Sequence, residues 1–301
     1  MASVKLSSAL KSLISAPHAQ GGPVPLPSQA ATTRLFEGLS RSAARNGLEP
    51  VTWLTLSSAA LVTLNSPATL CELYSFATKG LPESPDRTQK ASEYAAVMRE
   101  AGLKSISFSG IPRAINSLGA LRAHLEPDVA AKLSTEPTRQ PTPSNLPSIL
   151  SSAHSLWTSI YAPHDQKLLA KLSQSHPDLP VHILTSHYGP LLADPFVATA
   201  PALAGHARLG RILTSVVAIA CLRAQGGVGP QVTSHVFGLR KALGGEPASR
   251  SADNLKEEED EVAGAEWLTS DEGCTWVIEQ VDRIVEVVAA GRSTFATRAK
   301  L

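Results

Sequence analysis

The sequence predicts an all-α fold built from two diverged helical units. Three observations lead there. Aromatic residues make up only 5% of the chain, and Ala, Leu, Val and Ser dominate. Closely packed helices use such a mixture, whereas a β-sandwich needs more β-branched and aromatic side chains. Apolar residues recur every three to four positions, with Pro at helix starts and Gly at helix ends. Finally, one pattern occurs twice, at 49–80 and at 206–244: an apolar helix, a short turn, and a second helix ending at Gly, with Pro67 and Pro230 opening the second helix each time. That order reads as an internal duplication.

The elements follow in chain order. The first residues, MASVKLSSALKSLISAPHAQ, carry Lys5 and Lys11 on an amphipathic pattern and read as a short docking helix, with a mitochondrial presequence as the alternative. Residues 49–65 are apolar nearly all round and predict a buried helix, with Pro50 in its first turn. A helix over 67–80 ends at Gly80, and one over 84–102 turns Tyr94, Val97 and Met98 inward. The next, 109–125, takes Ser109 as its cap and carries an apolar stripe of Ile115, Leu118, Leu121 and Leu125. Residues 134–148 are rich in Pro, Ser and Thr and read as a linker. Helices resume over 148–161, 164–175, 181–193, 206–225 and 230–243. An acidic polar stretch over 244–266 reads as a surface loop. In the last helix, 271–291, Trp276, Val277, Val281, Ile284, Val285 and Val288 form one face that suits a core or a second subunit.

These readings divide the chain into an N-terminal helix and linker (1–33), a first helical unit (34–133), the linker (134–148), a second unit (149–245), an acidic loop (246–265), a closing helix and tail (266–298) and a terminal tripeptide (299–301).

Composition excludes several classes. The formal charge of +1 supplies no overall basic field for nucleic acid or an anionic membrane. The longest apolar run, 212–222, falls far short of the ~20 residues that span a bilayer. Cys71, Cys221 and Cys274 are widely spaced and include no C-x-x-C pair, so neither a disulfide framework nor a zinc site is expected. His176, His182 and His187 are six and five residues apart, off the spacing by which a helix presents metal ligands, and no metal or other cofactor is expected. His187-Tyr188, before Gly189-Pro190, reads as a surface turn or a pocket wall. No phosphate loop, nucleophile elbow or dinucleotide fingerprint appears. The terminal Ala299-Lys300-Leu301 is a variant of the Ser-Lys-Leu peroxisomal address, so the expected location is the peroxisomal matrix and one expected partner is the import receptor.

The segment RLGRILTSVVAIACLRAQGGVGPQVTSHVFGLRKALGG, together with the G-x-P turn of SGIPRAINSLGALRAHL, resembles the carboxymuconolactone decarboxylase-like group, which includes the AhpD alkylhydroperoxidases. The resemblance covers roughly residues 36–125 and 180–245 and implies an AhpD-like helical bundle and a homodimer. It places His235 where the group keeps its proton carrier. The group's peroxidases surround that histidine with Glu and two cysteines. This chain has Val216, Val228 and Gln231 at those places, so the dithiol mechanism is not expected. In the first unit the corresponding place falls near Cys71-Glu72, where a sulfenate-forming thiol competes with a buried structural cysteine. Decarboxylase chemistry needs no cysteine. It asks for a proton donor beside an anion-binding group, for which His235, Arg113 and Asn116 are the candidates. The expected ligand is a small apolar carboxylate, quinone or hydroperoxide. The alternative is a non-catalytic interaction module in which His235 is a packed relic.

Overall fold

The computed structural model describes residues 5–16, 26–194, 205–244 and 262–290, and every regular element among them is a helix. The all-α expectation holds. The expected address at Ala299, Lys300 and Leu301, and nearly all of the expected acidic loop, lie outside the described residues.

Two helices form the centre. Helix α3 (Pro50–Thr63) is buried at every residue from Thr52 onward, and α12 (Gly210–Gln225) is buried along almost its whole length. They pack directly on each other. Helices that are apolar on all sides cannot face water, so they occupy the interior. Pro at the first turn starts α3, because the amide it lacks has no intrahelical partner there.

Around this pair lie α2 (Gln29–Arg45), α4 (Pro67–Lys79), α5 (Arg87–Lys104), α13 (Gly229–Arg240) and α15 (Asp271–Ala289). The sequence reading missed α2, although its Leu35, Phe36 and Leu39 line one buried face. Tyr94, Val97 and Met98 of α5 point inward as expected, but the helix passes Gly102 and ends at Lys104. Gly102 allows a close approach: a Cβ there would lie 2.8 Å from the Leu118 side chain. Leu118 belongs to α7 (Ile111–His124), which a one-turn α6 (Ile106–Ser109) precedes. Gly110, with φ of 85°, takes the N-cap place expected of Ser109, whose hydroxyl instead pairs with Thr63 at 2.6 Å. Of the predicted stripe, Leu121 and Leu125 are buried, while Ile115 faces solvent. On α15 the predicted face covers the core: Trp276, Val277, Val281, Ile284 and Val288 are all buried.

A smaller core sits beside the main one. It joins α9 (Leu146–Tyr161) to a π-helix over Ile183–Leu192 through Ala153, Trp157, Ile160, Leu184, Tyr188 and Leu192. Pro190 lies inside this π-helix. Proline has no amide to donate, and a widened turn is one way for a helix to carry it. Gly189 lets the two helices touch, since a Cβ would fall 2.6 Å from the Ile149 carbonyl oxygen.

Short helices complete the chain: α1 (Ser8–Ile14), α8 (Pro127–Lys132), α10 (Asp165–Ser175), α11 (Asp178–His182) and α14 (Ala265–Leu268). The α14–α15 corner depends on Gly273, whose Cβ would overlap the Trp267 carbonyl and lie 2.5 Å from the Leu268 Cα. Gly273→Ala is expected to destabilise the protein by about 3 kcal/mol, because backbone, rather than a pliable side chain, must move. A chemical-denaturation midpoint checks this. A gain of about 1 kcal/mol from helix propensity alone would mean that α14 shifts freely.

Candidate functional site

His235 lies at the middle of α13, on the face turned towards α9. Two glycines with positive φ, Gly226 (71°) and Gly227 (74°), make the turn between α12 and α13, and Pro230 opens the new helix. One turn after Gln231 the chain delivers His235 to the interior, where it is 4% exposed. Gly238 allows the tight packing, as a Cβ there would meet Ile160 at 2.9 Å.

The ring has aromatic walls. Phe108 of α6 meets it edge-on at 5.7 Å and Tyr161 of α9 at 5.9 Å. Its Nε2 is 3.3 Å from the Tyr161 hydroxyl, which is 2.9 Å from the Tyr188 hydroxyl of the π-helix. Its Nδ1 has no hydrogen-bond partner among the described residues. Trp157 packs against both tyrosines.

Arg211 supplies the charge. It stands in the first turn of α12, where the helix dipole favours an anion and opposes a cation. Its Nε donates to the Ser159 hydroxyl at 2.8 Å, its Nη1 to the Ser215 hydroxyl, and its Nη2 to the carbonyls of Ser159 (3.2 Å) and Gly238 (2.9 Å). These partners are neutral, and no carboxylate pairs with it among the described residues.

Electrostatics follow from this closure. Burial, and then the Arg211 charge, push the His235 pKa down to about 3. Burial lowers the Arg211 pKa to about 10, against the pull of the two tyrosines. Burial raises both phenols, Tyr188 well above its ordinary value. At neutral pH the imidazole is therefore uncharged and a weak base.

The other candidates lie elsewhere. Cys71 and Glu72 sit half-buried on α4, which packs mainly on α2, α3, α5 and α7, while α13 packs mainly on α9, α12 and α15. Glu72 accepts a hydrogen bond from the Thr32 hydroxyl at 2.6 Å. Burial, and then Glu72, raise the Cys71 thiol, which disfavours the thiolate that would attack an oxidant. Arg113 donates to the Thr63 carbonyl, and burial lowers its pKa. Exposed Asn116 donates to Asn65 at 3.1 Å. None of these is a partner of His235. Val216, at the place of the group's relay Glu, is buried core, as is Cys221, whose thiol burial raises despite the hydroxyls of Ser105, Thr63 and Ser109 around it. The ring of His187 lies 5.1 Å from that of His182 and its Nδ1 is 3.1 Å from the Ser107 hydroxyl. Among the described residues no group of three or more His, Cys, Asp or Glu side chains gathers to hold a metal.

Tyr161, Phe108 and Arg211 are the residues that the sequence reading missed. No spacing links positions 108, 161, 188, 211 and 235, and only Tyr188 was singled out as a pocket wall.

No family model matches this chain, and neither a curated protein nor a solved structure does. The chemistry of the cluster has to be read from its own atoms. It offers a fixed cation, a neutral imidazole with one free nitrogen, and a two-tyrosine hydroxyl chain, enclosed by aromatic rings. The chemistry of such a set suits negative charge and proton transfer. It contains no thiol.

Proposed function

We propose that the chain binds a small carboxylate with an apolar body at the Arg211–His235 cluster, and that the ligand's charge enables His235 to carry a proton. The observation behind this is a largely buried arginine without a carboxylate partner beside an imidazole with an orphaned nitrogen. Buried charges are ordinarily paired, and buried donors are ordinarily bonded. When Tyr188 donates to Tyr161 and Tyr161 to Nε2, the proton of His235 resides on Nδ1. An entering carboxylate oxygen accepts from Nδ1 and faces Arg211. Its negative charge offsets the second cause of the low His235 pKa, so binding raises the proton affinity of the ring against burial, the larger cause. A neutral quinone or hydroperoxide can accept from Nδ1 but brings no charge to offset Arg211. The resemblance to carboxymuconolactone decarboxylase-like proteins, without their dithiol centre, and the terminal Ala299-Lys300-Leu301 address favour a peroxisomal setting and a homodimer.

A specific observation favours a second reading. Arg211 already engages Ser159, Ser215 and Gly238, and His235 is almost sealed from solvent. Under that reading the cluster is a structural polar core of a non-catalytic interaction module.

Native mass spectrometry of protein from its own source, beside His235→Gln, separates the two. A retained small acid is expected in the wild type, with occupancy reduced about tenfold or more in the variant. Calorimetric titration with that acid in buffers of different ionisation enthalpy should show proton uptake. The same unliganded mass in both proteins, with no change in melting temperature across a panel of small carboxylates, would assign the cluster to structure alone.

A further inference from the structure

The first helix, α1, makes no use of the core. None of its residues is buried. Leu6, Leu10, Leu13 and Ile14 are 48, 43, 64 and 59% exposed. At 100° per residue Leu10, Leu13 and Ile14 fall within about a third of the helix circumference, and Leu6 precedes the cap. Ser8 and Ser12 occupy the opposite side, Lys11 flanks the apolar face, and Lys5 precedes the helix. Ser7 caps the helix by accepting from the Leu10 amide at 3.2 Å. A helix this short is marginal in water, so its apolar face needs a covering surface.

Charge chooses the surface. The near-zero net charge of the whole chain hides a local excess: no Asp or Glu precedes Glu37, whereas Lys5, Lys11 and Arg34 do. The groove of about 280 Å³ between α2 and α15 is one apolar site where the helix of a second copy could seat, through Leu35, Leu39 and Val287. Arg34 and Arg283 line it, and both repel Lys5 and Lys11. An anionic bilayer offers apolar depth and negative charge together. The geometry points to α1 as an amphipathic anchor that lies in the interface of an anionic membrane, with Leu6, Leu10, Leu13 and Ile14 inserted and both lysines at the headgroups. The segment APHAQGGPVPLPS between α1 and α2 contains Gly21-Gly22 and four prolines, a composition suited to a tether.

Vesicle flotation with the full chain tests this. Vesicles of phosphatidylcholine and phosphatidylserine in equal parts should carry the protein. Binding should fall about tenfold or more on phosphatidylcholine alone, and also in high salt. The double variant Leu10→Asp/Leu13→Asp should lose binding, as should Lys5→Glu/Lys11→Glu, with melting temperatures unchanged because no core residue is altered. Absence of vesicle binding, or equal binding by the Leu10→Asp/Leu13→Asp protein, overturns the proposal. A dimer that this variant abolishes, without vesicle binding in the wild type, also overturns it and gives the face to a second copy.

Discussion

Lys104→Met is expected to lower stability by about 3–5 kcal/mol, the cost of breaking a buried ion pair by removing one partner. Lys104 is fully buried, and its Nζ reaches the Leu192 carbonyl at 2.6 Å, the Asp194 carboxylate at 2.6 Å and the Thr214 hydroxyl at 2.8 Å. One ammonium thereby ties α5, the end of the π-helix and α12 together. Asp194 also accepts from the Gly210 amide at 2.7 Å, capping α12 directly before Arg211. Glu100 and Arg139 extend the network, with Arg139 donating to both Glu100 carboxylate oxygens. Methionine fills the space but leaves Asp194 and the Leu192 carbonyl without their donor. A urea-denaturation midpoint should fall with little change in slope. The double variant Lys104→Met/Asp194→Asn should be more stable than the sum of the single losses predicts, because the two share one interaction. Strict additivity would show that the pair is not coupled.

The same pair has a pH signature. Burial acts to raise the Asp194 pKa, but the Lys104 charge and hydrogen bond, with the Gly210 amide and the Arg139 charge, together outweigh it and hold the carboxyl below its ordinary value. A depressed carboxylate contributes stability that is present above its unfolded pKa and lost as pH falls through the folded one. In Lys104→Met burial is less opposed, so the gap between variant and wild type should narrow in acid.

His235 is expected to make the protein acid-sensitive at a higher pH. Its folded pKa is about 3 against 6.5 for the free side chain. Between those values the unfolded chain holds a proton that the folded site refuses, so stability is full above about pH 6.5 and falls as pH drops towards 3. From about pH 7 to about pH 4 this site alone should cost about 3 kcal/mol. Comparison with His235→Gln isolates it, since glutamine does not titrate. The stability gap between the two proteins should shift by that amount across the window. A gap independent of pH would mean that the ring is solvated and protonates freely, which would also remove the basis for a ligand-dependent proton. Saturation with a carboxylate should flatten the slope, because an anion beside Arg211 raises the His235 pKa in the folded state.

Much of the architecture was legible in the sequence. The nearly all-round apolar run over 49–65 and the largely apolar one over 206–225 announced helices, and α3 and α12 are the central pair. Pro at helix starts and the face of α15 located further elements to within a few residues, since helix periodicity and end signals are local properties of the chain. His235 was legible as a candidate because it stands in a helical setting after a Gly-rich turn. Its surroundings were not. Arg211, Tyr161, Tyr188 and Phe108 come from four other elements, and nothing local marks them as neighbours. The same holds for Lys104 and Asp194, ninety positions apart, and for Ile115, whose place in an apolar stripe gave no sign that it would face solvent. Periodicity tells which face of a helix is apolar. Only packing decides what that face meets, which polar groups are sealed away from water, and which charge is left without a partner.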